Sequence, residues 1–507
     1  MPASPFIVTE RTVDAQYMRE YPHATTTQEA PLKLVVNKYT PSDNQTPQPG
    51  DVTLIGLIRC IKAGFTRGLP PLTQEDKKSL ATARQRFWDL SKKPIPGFNH
   101  DFINLRNGHK LHYIHNKHAI TQPKNLIIFF HGFPDSSLMW RNLLSHRDRN
   151  QAVARDDNLI VCVDLPGYGG SDSFAEYDTG VLEALAEFCI SVRQRHCESP
   201  AKVVLVAHDW GCNLATRLAV EAPMVADQFV LMNGLFTDLA IVNFTRHVQC
   251  LPQMLSHLRL WELFKTCTLL LRQIWCLAYV FTFDLSERVV GYALGTWNEM
   301  AVMRALIRLA NVRNSDFDFV EALAATLGPG ESEAQTSIST NIRAPGIPES
   351  YGDSVQARAK SPANILWNMT GLYRNGVLRG PWAKSEELLG SLRETGVASR
   401  RDHGAAGSKG AEDVQGPQLN VATTVIWGLK DHVMLPEICL DGIHAYLAPR
   451  SEVIVLPNSA HWVPIDTEGV RVILAVLKHH TAEWQDGRIG EKMLNEVYRG
   501  ARLISRT

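Results

Sequence analysis

The 507-residue sequence has no excess of charge of either sign, because 52 Lys and Arg residues balance 52 Asp and Glu residues. A chain without a basic excess lacks the electrostatic footprint of nucleic-acid-binding proteins and of proteins held to membranes by polybasic segments. Cysteine is also scarce, and its nine residues are typical of reduced intracellular thiols rather than of a disulfide framework. We therefore predict a protein with no nucleic-acid partner.

Long hydrophobic runs and targeting signals are lacking as well. The longest apolar run, residues 274–283, is shorter than the roughly 20 residues that a membrane-spanning helix needs. The N-terminus has no basic region followed by an apolar stretch, which argues against a secretory signal. An apolar stripe over residues 54–65 has two possible roles, packing against the domain or contact with a membrane surface. Packing against the domain is the commoner role of such a stripe. We expect a soluble, cytoplasmic protein with no transmembrane segment.

Short apolar runs without polar alternation are the main fold signal. Such runs are typical of strands covered on both faces, and therefore of a parallel sheet with helices on each side. They occupy residues 126–130, 159–163, 203–206, 229–232, 423–427 and 453–456. Before them, residues 102–105 and 111–114 flank Asn107-Gly108, which predicts a β-hairpin.

The order of these patterns predicts four segments. Residues 1–98 form an N-terminal extension with helices, 99–234 the first part of an α/β core, 235–418 a helical lid, and 419–507 the rest of the core with C-terminal helices. Two low-complexity tracts lie in the predicted lid, and their Gly-, Ser- and charge-rich composition predicts mobile loops. They span residues 328–360 and 396–417.

The most informative motif is Ala207-His208-Asp209-Trp210-Gly211, which follows an apolar strand and precedes a helical stretch. Small residues on both sides of a presented side chain are typical of the strand-to-helix elbow that carries a nucleophile. Here the presented residue is Asp209, and a carboxylate can attack an electrophilic carbon and form an ester that water hydrolyses. The competing interpretation is that Asp209 only caps the following helix.

A second motif, His131-Gly132-Phe133-Pro134, follows the apolar run 126–130. A tight turn there can aim the Phe133 amide at the elbow, where it and the Trp210 amide would form a two-donor oxyanion hole. His131 fits a structural hydrogen-bonding role in this loop better than a catalytic one. We place it with Pro134 and Trp462 among the residues expected to contact substrate.

An acid and a base follow later strands. Asp431 comes directly after the run 423–427, and His461 comes after the run 453–456. With Asp209 they give the chain order nucleophile, acid, base. We predict that His461 activates the hydrolytic water and that Asp431 orients its imidazole; His432 is too close to Asp431 in sequence to be its partner.

Together these motifs resemble the epoxide hydrolases of the α/β-hydrolase fold, over about residues 102–234 and 419–479. The resemblance implies that fold, with a mostly parallel central sheet, flanking helices and an inserted helical lid. It also implies two lid tyrosines that protonate the epoxide oxygen as the ring opens. Tyr373, in Tyr373-Arg374-Asn375, and Tyr279 match those two positions. Tyr292 and Tyr351 are the fallbacks.

The related haloalkane dehalogenases also use an Asp nucleophile, so the elbow does not separate the two activities. Dehalogenases that resemble this chain place Asn at position 133 as a halide donor, and Phe133 has no side-chain donor. We therefore predict an epoxide hydrolase that acts on a small-molecule epoxide and water, without metal or other cofactor. The alternatives are a haloalkane dehalogenase and a non-catalytic binding protein of the same fold, and the oligomeric state is left open.

Overall fold

The computed structural model describes most of the chain from residue 72 onward. The described residues are 72–116, 122–145, 157–198, 201–234, 236–277, 318–339, 348–360, 362–400 and 419–482, with 489, 494, 497–498 and 501–506. Predictions for Tyr279, Tyr292 and residues 54–65 lie outside the described residues. The four-segment division stays a prediction.

Nine strands of the described chain form one sheet in the order β1-β2-β4-β3-β5-β6-β9-β10-β11. The six central strands, from β4 to β10, run parallel, while β1, β2 and β11 pair antiparallel at the two edges. The strands are β1 Asn99–Asn104, β2 Lys110–His115, β3 Asn125–Phe130, β4 Asn158–Val163, β5 Lys202–His208, β6 Gln228–Met232, β9 Thr423–Gly428, β10 Glu452–Leu456 and β11 Arg502–Arg506. The prediction of a mostly parallel sheet is confirmed.

Apolar sequence explains why the central strands are buried. Every residue of β3, β4, β6, β9 and β10 is buried, as expected when helices cover both faces of a parallel sheet. The predicted hairpin is also confirmed, because β1 pairs with β2 and Gly108 takes the left-handed φ of +85° that its turn requires.

Helices flank the sheet and fill the insertion between β6 and β9. They are α1 Gln74–Trp88, α2 Arg141–Ser145, α3 Gly180–His196, α4 Trp210–Glu221, α5 Thr237–Ser256, α6 Leu260–Cys276, α7 Phe319–Leu327, α8 Asp353–Lys360, α9 Pro362–Met369, α10 Glu386–Arg400, α11 Pro436–Cys439 and α12 Thr467–Thr481. None of the described helices combines the length and apolar character needed to cross a membrane.

The prediction of a mobile loop over residues 328–360 is wrong for the described part of that tract. It contains β7 Ser337–Ser339, which pairs with β8 Pro348–Ser350, and then α8. The buried Arg358 guanidinium donates to the carbonyl oxygens of Gly169 and Ser171 at 3.0 and 2.8 Å. These contacts fix α8 on the loop after β4, and composition alone does not reveal them.

Candidate active site

The elbow at the end of β5 presents Asp209 in a strained conformation. Its φ is 51° and its ψ is −117°, a backbone state that costs a non-glycine residue about 1–3 kcal/mol. Glycine is required at position 211, two residues after Asp209, because a Cβ there would lie 2.5 Å from the His131 carbonyl oxygen. Asp209 makes no side-chain capping hydrogen bond to α4. This observation argues against the alternative in which Asp209 only caps the helix.

The loop after β3 reaches the nucleophile with its backbone. The Phe133 amide donates to Oδ1 of Asp209 at 2.7 Å, and a Cβ on Gly132 would collide with the Asp209 side chain. Trp210 is the first residue of α4, so its amide belongs to the first helical turn, where amides have no partner within the helix. The Phe133 amide therefore contacts Asp209 directly, and the Trp210 amide follows Asp209 at the start of α4.

The loops after β9 and β10 bring the acid and the base to the same place. His461 Nδ1 donates to Oδ2 of Asp431 at 2.8 Å, and His461 Nε2 lies 3.4 Å from Oδ2 of Asp209. All three side chains are buried. Asp209 thus offers Oδ1 to the Phe133 amide and Oδ2 to the imidazole, which gives its two oxygens different surroundings.

Asn233, for which the sequence predicted no role, holds Asp431. Asn233, just after β6, donates its side-chain amide to Oδ2 of Asp431 at 2.7 Å. The amides of Val433 and Met434 donate to the other carboxylate oxygen at 2.7 and 3.0 Å. The sequence does contain one signal that could have identified Asn233. The turn Met232-Asn233-Gly234 follows a buried strand at the same edge of the sheet as Asp209.

Charge pairing sets the protonation of this cluster. Burial raises the pKa of Asp209 and of Asp431, but His461 and the other hydrogen-bond donors and positive charge around each carboxyl together outweigh burial, so the pKa of each carboxyl is below its usual value. Burial lowers the pKa of His461, but Asp431 and Asp209 together raise it to about 10. The resting site therefore holds an imidazolium between two carboxylates.

Three residues are predicted to contact substrate, and the structure gives each its own set of neighbours. They are His131, Pro134 and Trp462. The His131 ring donates from Nδ1 to the Gly132 carbonyl at 2.8 Å and accepts the Leu165 amide on Nε2 at 2.9 Å. No ring nitrogen is left to bind a substrate, so the contacts support the structural role of His131. Pro134 is buried beside Phe133. Trp462 packs edge-on against the His461 ring, with centroids 4.7 Å apart.

The insertion carries Tyr373 onto the elbow. Tyr373 ends the turn Thr370–Tyr373 after α9, and its ring packs edge-on against Phe133 and Trp210 with centroids 5.5 and 4.6 Å apart. Tyr168, from the loop after β4, anchors this region by donating its hydroxyl to the Met369 carbonyl at 2.5 Å. A residue of the insertion is therefore held beside both predicted oxyanion-hole residues.

Of the other candidate tyrosines, the structure describes Tyr351. Tyr279 and Tyr292 lie outside the described residues. Tyr351 is buried and donates its hydroxyl to the Trp88 carbonyl at 2.8 Å, while its ring packs edge-on against Phe102. These contacts place Tyr351 in the core around α1 and β1, so the fallback assignment of Tyr351 is wrong.

Part of the chain is similar in sequence to curated proteins named epoxide hydrolases. The chain is 30% identical to mouse epoxide hydrolase 3 over 144 residues, which are 27% of this chain and 36% of that protein. It is 28% identical to mouse epoxide hydrolase 4 over 135 residues, or 26% and 34% of the two chains. The matched part thus spans about a third of the length of these curated relatives.

Among solved structures, a Bacillus megaterium epoxide hydrolase crystallised with an inhibitor aligns at 22% identity and a TM-score of 0.40, covering 71% of this chain and 93% of that one. An epoxide hydrolase from Vigna radiata aligns at 16% identity and a TM-score of 0.43, covering 77% and 99%. The family model described as the alpha/beta hydrolase family matches residues 127–473. This match covers more than half of the sequence, so the chain belongs to the alpha/beta hydrolase family and has the α/β-hydrolase fold.

Proposed function

We propose that the protein is an epoxide hydrolase, which converts an epoxide and water to a vicinal diol through an ester on Asp209. The observation that carries the proposal is the 3.4 Å separation of His461 Nε2 from Asp209 Oδ2, with the Phe133 amide on the other oxygen. A carboxylate in this position can act as a nucleophile and form an ester. The imidazole lies where it can activate water to hydrolyse that ester. The names of the curated relatives support the same activity.

In the first step, one oxygen of Asp209 attacks the less hindered ring carbon. The new C–O bond is the ester, and the broken C–O bond leaves its electron pair on the former ring oxygen. That oxygen takes a proton from the phenol of Tyr373, with Tyr279 as the proposed second donor. A phenol with a pKa near ~10 is protonated at neutral pH and can supply this proton. The lowered pKa of Asp209 keeps the nucleophile ionised.

Ester formation changes the charge around the base. Asp209 is one of the two carboxylates that raise the pKa of His461, and the ester carries no charge. The pKa of His461 therefore falls once the ester forms, and its released proton restores the Tyr373 phenol through solvent. The imidazole becomes a competent base only after the first step is complete.

In the second step, His461 takes a proton from water while the water oxygen attacks the ester carbonyl. The amides of Phe133 and Trp210 stabilise the resulting oxyanion. Collapse of the intermediate breaks the bond to the alcohol oxygen of the product, which takes the second proton of the attacking water. The diol leaves, Asp209 is again a carboxylate, and His461 is again protonated. Asp431 stabilises the imidazolium throughout.

The insertion between β6 and β9 has the position of a lid in this proposal, because it carries Tyr373 to the elbow. We propose small-molecule epoxides and water as the only partners of the reaction, and the cytoplasm as its compartment. These assignments follow from the proposed activity and from the sequence.

A substrate panel tests the activity. Purified wild-type protein is incubated with terminal, aromatic and fatty-acid epoxides and, separately, with chloroalkanes. We expect diol from at least one epoxide class, no halide release, and no diol with Asp209→Ala. Halide release without epoxide turnover would instead select a dehalogenase. Ligand binding that Asp209→Asn leaves unchanged, without any turnover by wild type, would select a binding protein.

A further inference from the structure

A buried histidine next to the nucleophile contacts the base. His208 is the last residue of β5 and directly precedes Asp209. Its Nε2 lies 2.9 Å from the backbone carbonyl oxygen of His461, and the two rings lie 5.0 Å apart between centroids. The side chain is fully buried. One hydrogen bond therefore joins the strand that carries the nucleophile to the residue that serves as base.

The protonation of His208 follows from its partner. A carbonyl oxygen can only accept, so Nε2 carries the proton and donates it. Burial, and then the neighbouring His461, lower the pKa of His208 to about 4. The ring is therefore neutral at physiological pH. Its Nδ1 has no hydrogen-bond partner among the described residues, so the contact with His461 is its one identified hydrogen bond.

The stretch that carries the base depends on such contacts for its position. Residues 457–462 form neither helix nor strand, so no regular backbone ladder fixes them. The Lys430 amide donates to the Ser459 carbonyl at 3.0 Å, and the Trp462 indole donates to Oδ2 of Asp135 at 3.0 Å. At His461 itself, the carbonyl oxygen accepts the amide of the nearby Val463 at 3.0 Å and the ring of His208, and the imidazole is held by Asp431. The Val463 contact is local to this stretch, whereas the His208 contact ties the carbonyl to β5.

We infer that His208 is a positioning residue for the second step of the proposed reaction, acting through the backbone of His461. The inference rests on the proposed function. With the carbonyl held by His208 and Nδ1 held by Asp431, the imidazole has two fixed points, and its Nε2 is directed at the Asp209 side chain. Loss of the His208 contact leaves the carbonyl bonded to the Val463 amide of its own turn but no longer tied to β5, so the ring can shift while the base itself remains. A shift of about 1 Å at a reacting group can slow a step about 100-fold.

The two chemical steps depend differently on this contact. Attack by Asp209 needs the elbow and the phenols, whereas ester hydrolysis needs Nε2 of His461 within reach of a water molecule beside the ester. A variant that loses the His208 contact should slow hydrolysis more than attack. The ester should then accumulate during turnover.

The kinetic test compares His208→Leu, which removes the donor, with His208→Gln, which keeps an N–H at a similar reach. In single turnovers we expect His208→Leu to slow ester hydrolysis by about 10-fold or more and to slow ester formation much less. His208→Gln should recover most of the hydrolysis rate. Equal slowing of both steps, no slowing, or a His208→Gln that behaves like His208→Leu would each overturn the inference.

A matched control separates positioning from loss of stability. His480 is a half-buried histidine of α12, 2.9 Å from Thr424 Oγ1 and remote in sequence from the site residues. His480→Leu should lower the unfolding temperature without changing the ratio of the two rates. If His480→Leu changes that ratio as His208→Leu does, the effect is general destabilisation and the inference fails.

A second readout does not depend on any substrate. The Nδ1 proton of His461, held by Asp431, should give a downfield proton NMR resonance in wild type, in His208→Gln and in His480→Leu. We expect His208→Leu to broaden or shift it. An unchanged resonance in His208→Leu would overturn the inference. If wild type forms no ester with any epoxide, the proposed function fails, and this resonance still decides whether His208 positions His461.

Discussion

Asn233 donates its side-chain amide to Oδ2 of Asp431 at 2.7 Å, and the same oxygen accepts the Nδ1 proton of His461. The other end of the Asn233 side chain accepts the Gly428 amide at 3.1 Å. One side chain thus ties the end of β6 to the end of β9 and to Asp431, the proposed acid of the site. The acid is oriented before any substrate arrives, because every one of these contacts is internal to the protein.

Asn233→Ala should therefore impair the second step of the reaction. The change removes a donor from Asp431 and leaves the buried Gly428 amide without this acceptor, which costs about 1–3 kcal/mol of unfolding free energy. We expect ester hydrolysis to slow by about 10-fold, while ester formation changes less. Rapid-quench kinetics and urea unfolding measure the two effects. Wild-type hydrolysis in a correctly folded Asn233→Ala protein would show that Asn233 does not orient the acid.

Tyr373→Phe should affect the other step. The substitution keeps the ring that packs against Phe133 and Trp210 and removes only the hydroxyl. Loss of a general acid costs on the order of 10²-fold or more, and Tyr279 can supply part of the proton transfer. We expect ester formation to slow by about 10²-fold, with hydrolysis of the preformed ester much less affected.

The control for this prediction is Tyr351→Phe. The Tyr351 hydroxyl donates to the Trp88 carbonyl, so its loss should lower stability without slowing ester formation. If Tyr351→Phe slows that step and Tyr373→Phe does not, the assignment of the proton donor to Tyr373 is wrong.

The histidines of the site predict how stability depends on pH. The pKa of His208 is lowered to about 4, below the value near 6.5 of an unfolded chain. The contribution of His208 to the free energy of unfolding is fully present above pH 6.5 and is lost as the pH falls towards 4. The pKa of His461 is raised to about 10, so its contribution is present below pH 6.5 and is lost as the pH rises towards 10.

These two contributions place the stability maximum near pH 6.5. Urea unfolding measured from pH 4 to pH 10 checks it. In His461→Gln the decline on the alkaline side should become shallower, while the decline on the acidic side remains. An alkaline decline that is the same in His461→Gln and wild type would show that His461 is not held as an imidazolium between the two carboxylates.

The sheet and the candidate triad were open to prediction because their signals are local. Unbroken apolar runs predict the central strands, and Asp209, Asp431 and His461 lie three, four and five residues after such runs. Tyr373 and Tyr279 follow no such run and were predicted from the family resemblance. The parts that were missed depend on contacts between distant residues. Asn233 contacts Asp431, which lies 198 residues further along the chain. His208 contacts His461, which lies 253 residues further along. No local sequence pattern predicts contacts between residues so far apart.

The ordered part of residues 328–360 was missed for a related reason. A polar, Gly-rich sequence predicts a loop when each residue is taken as solvent-exposed. Arg358 is instead buried, and backbone carbonyl groups of the loop after β4 satisfy its guanidinium. Buried polar groups with complete hydrogen bonding are stable, but composition does not show where their partners lie.

The covalent Asp209 ester is the central claim, and a single turnover in water labelled with ¹⁸O tests it most directly. Enzyme in excess over epoxide is mixed in labelled water, and the diol and the peptide containing Asp209 are analysed by mass spectrometry. We expect unlabelled diol from the first turnover and ¹⁸O in the Asp209 carboxylate, because the oxygen delivered to the product comes from that side chain. Labelled diol on the first turnover, with an unlabelled Asp209, would contradict the account.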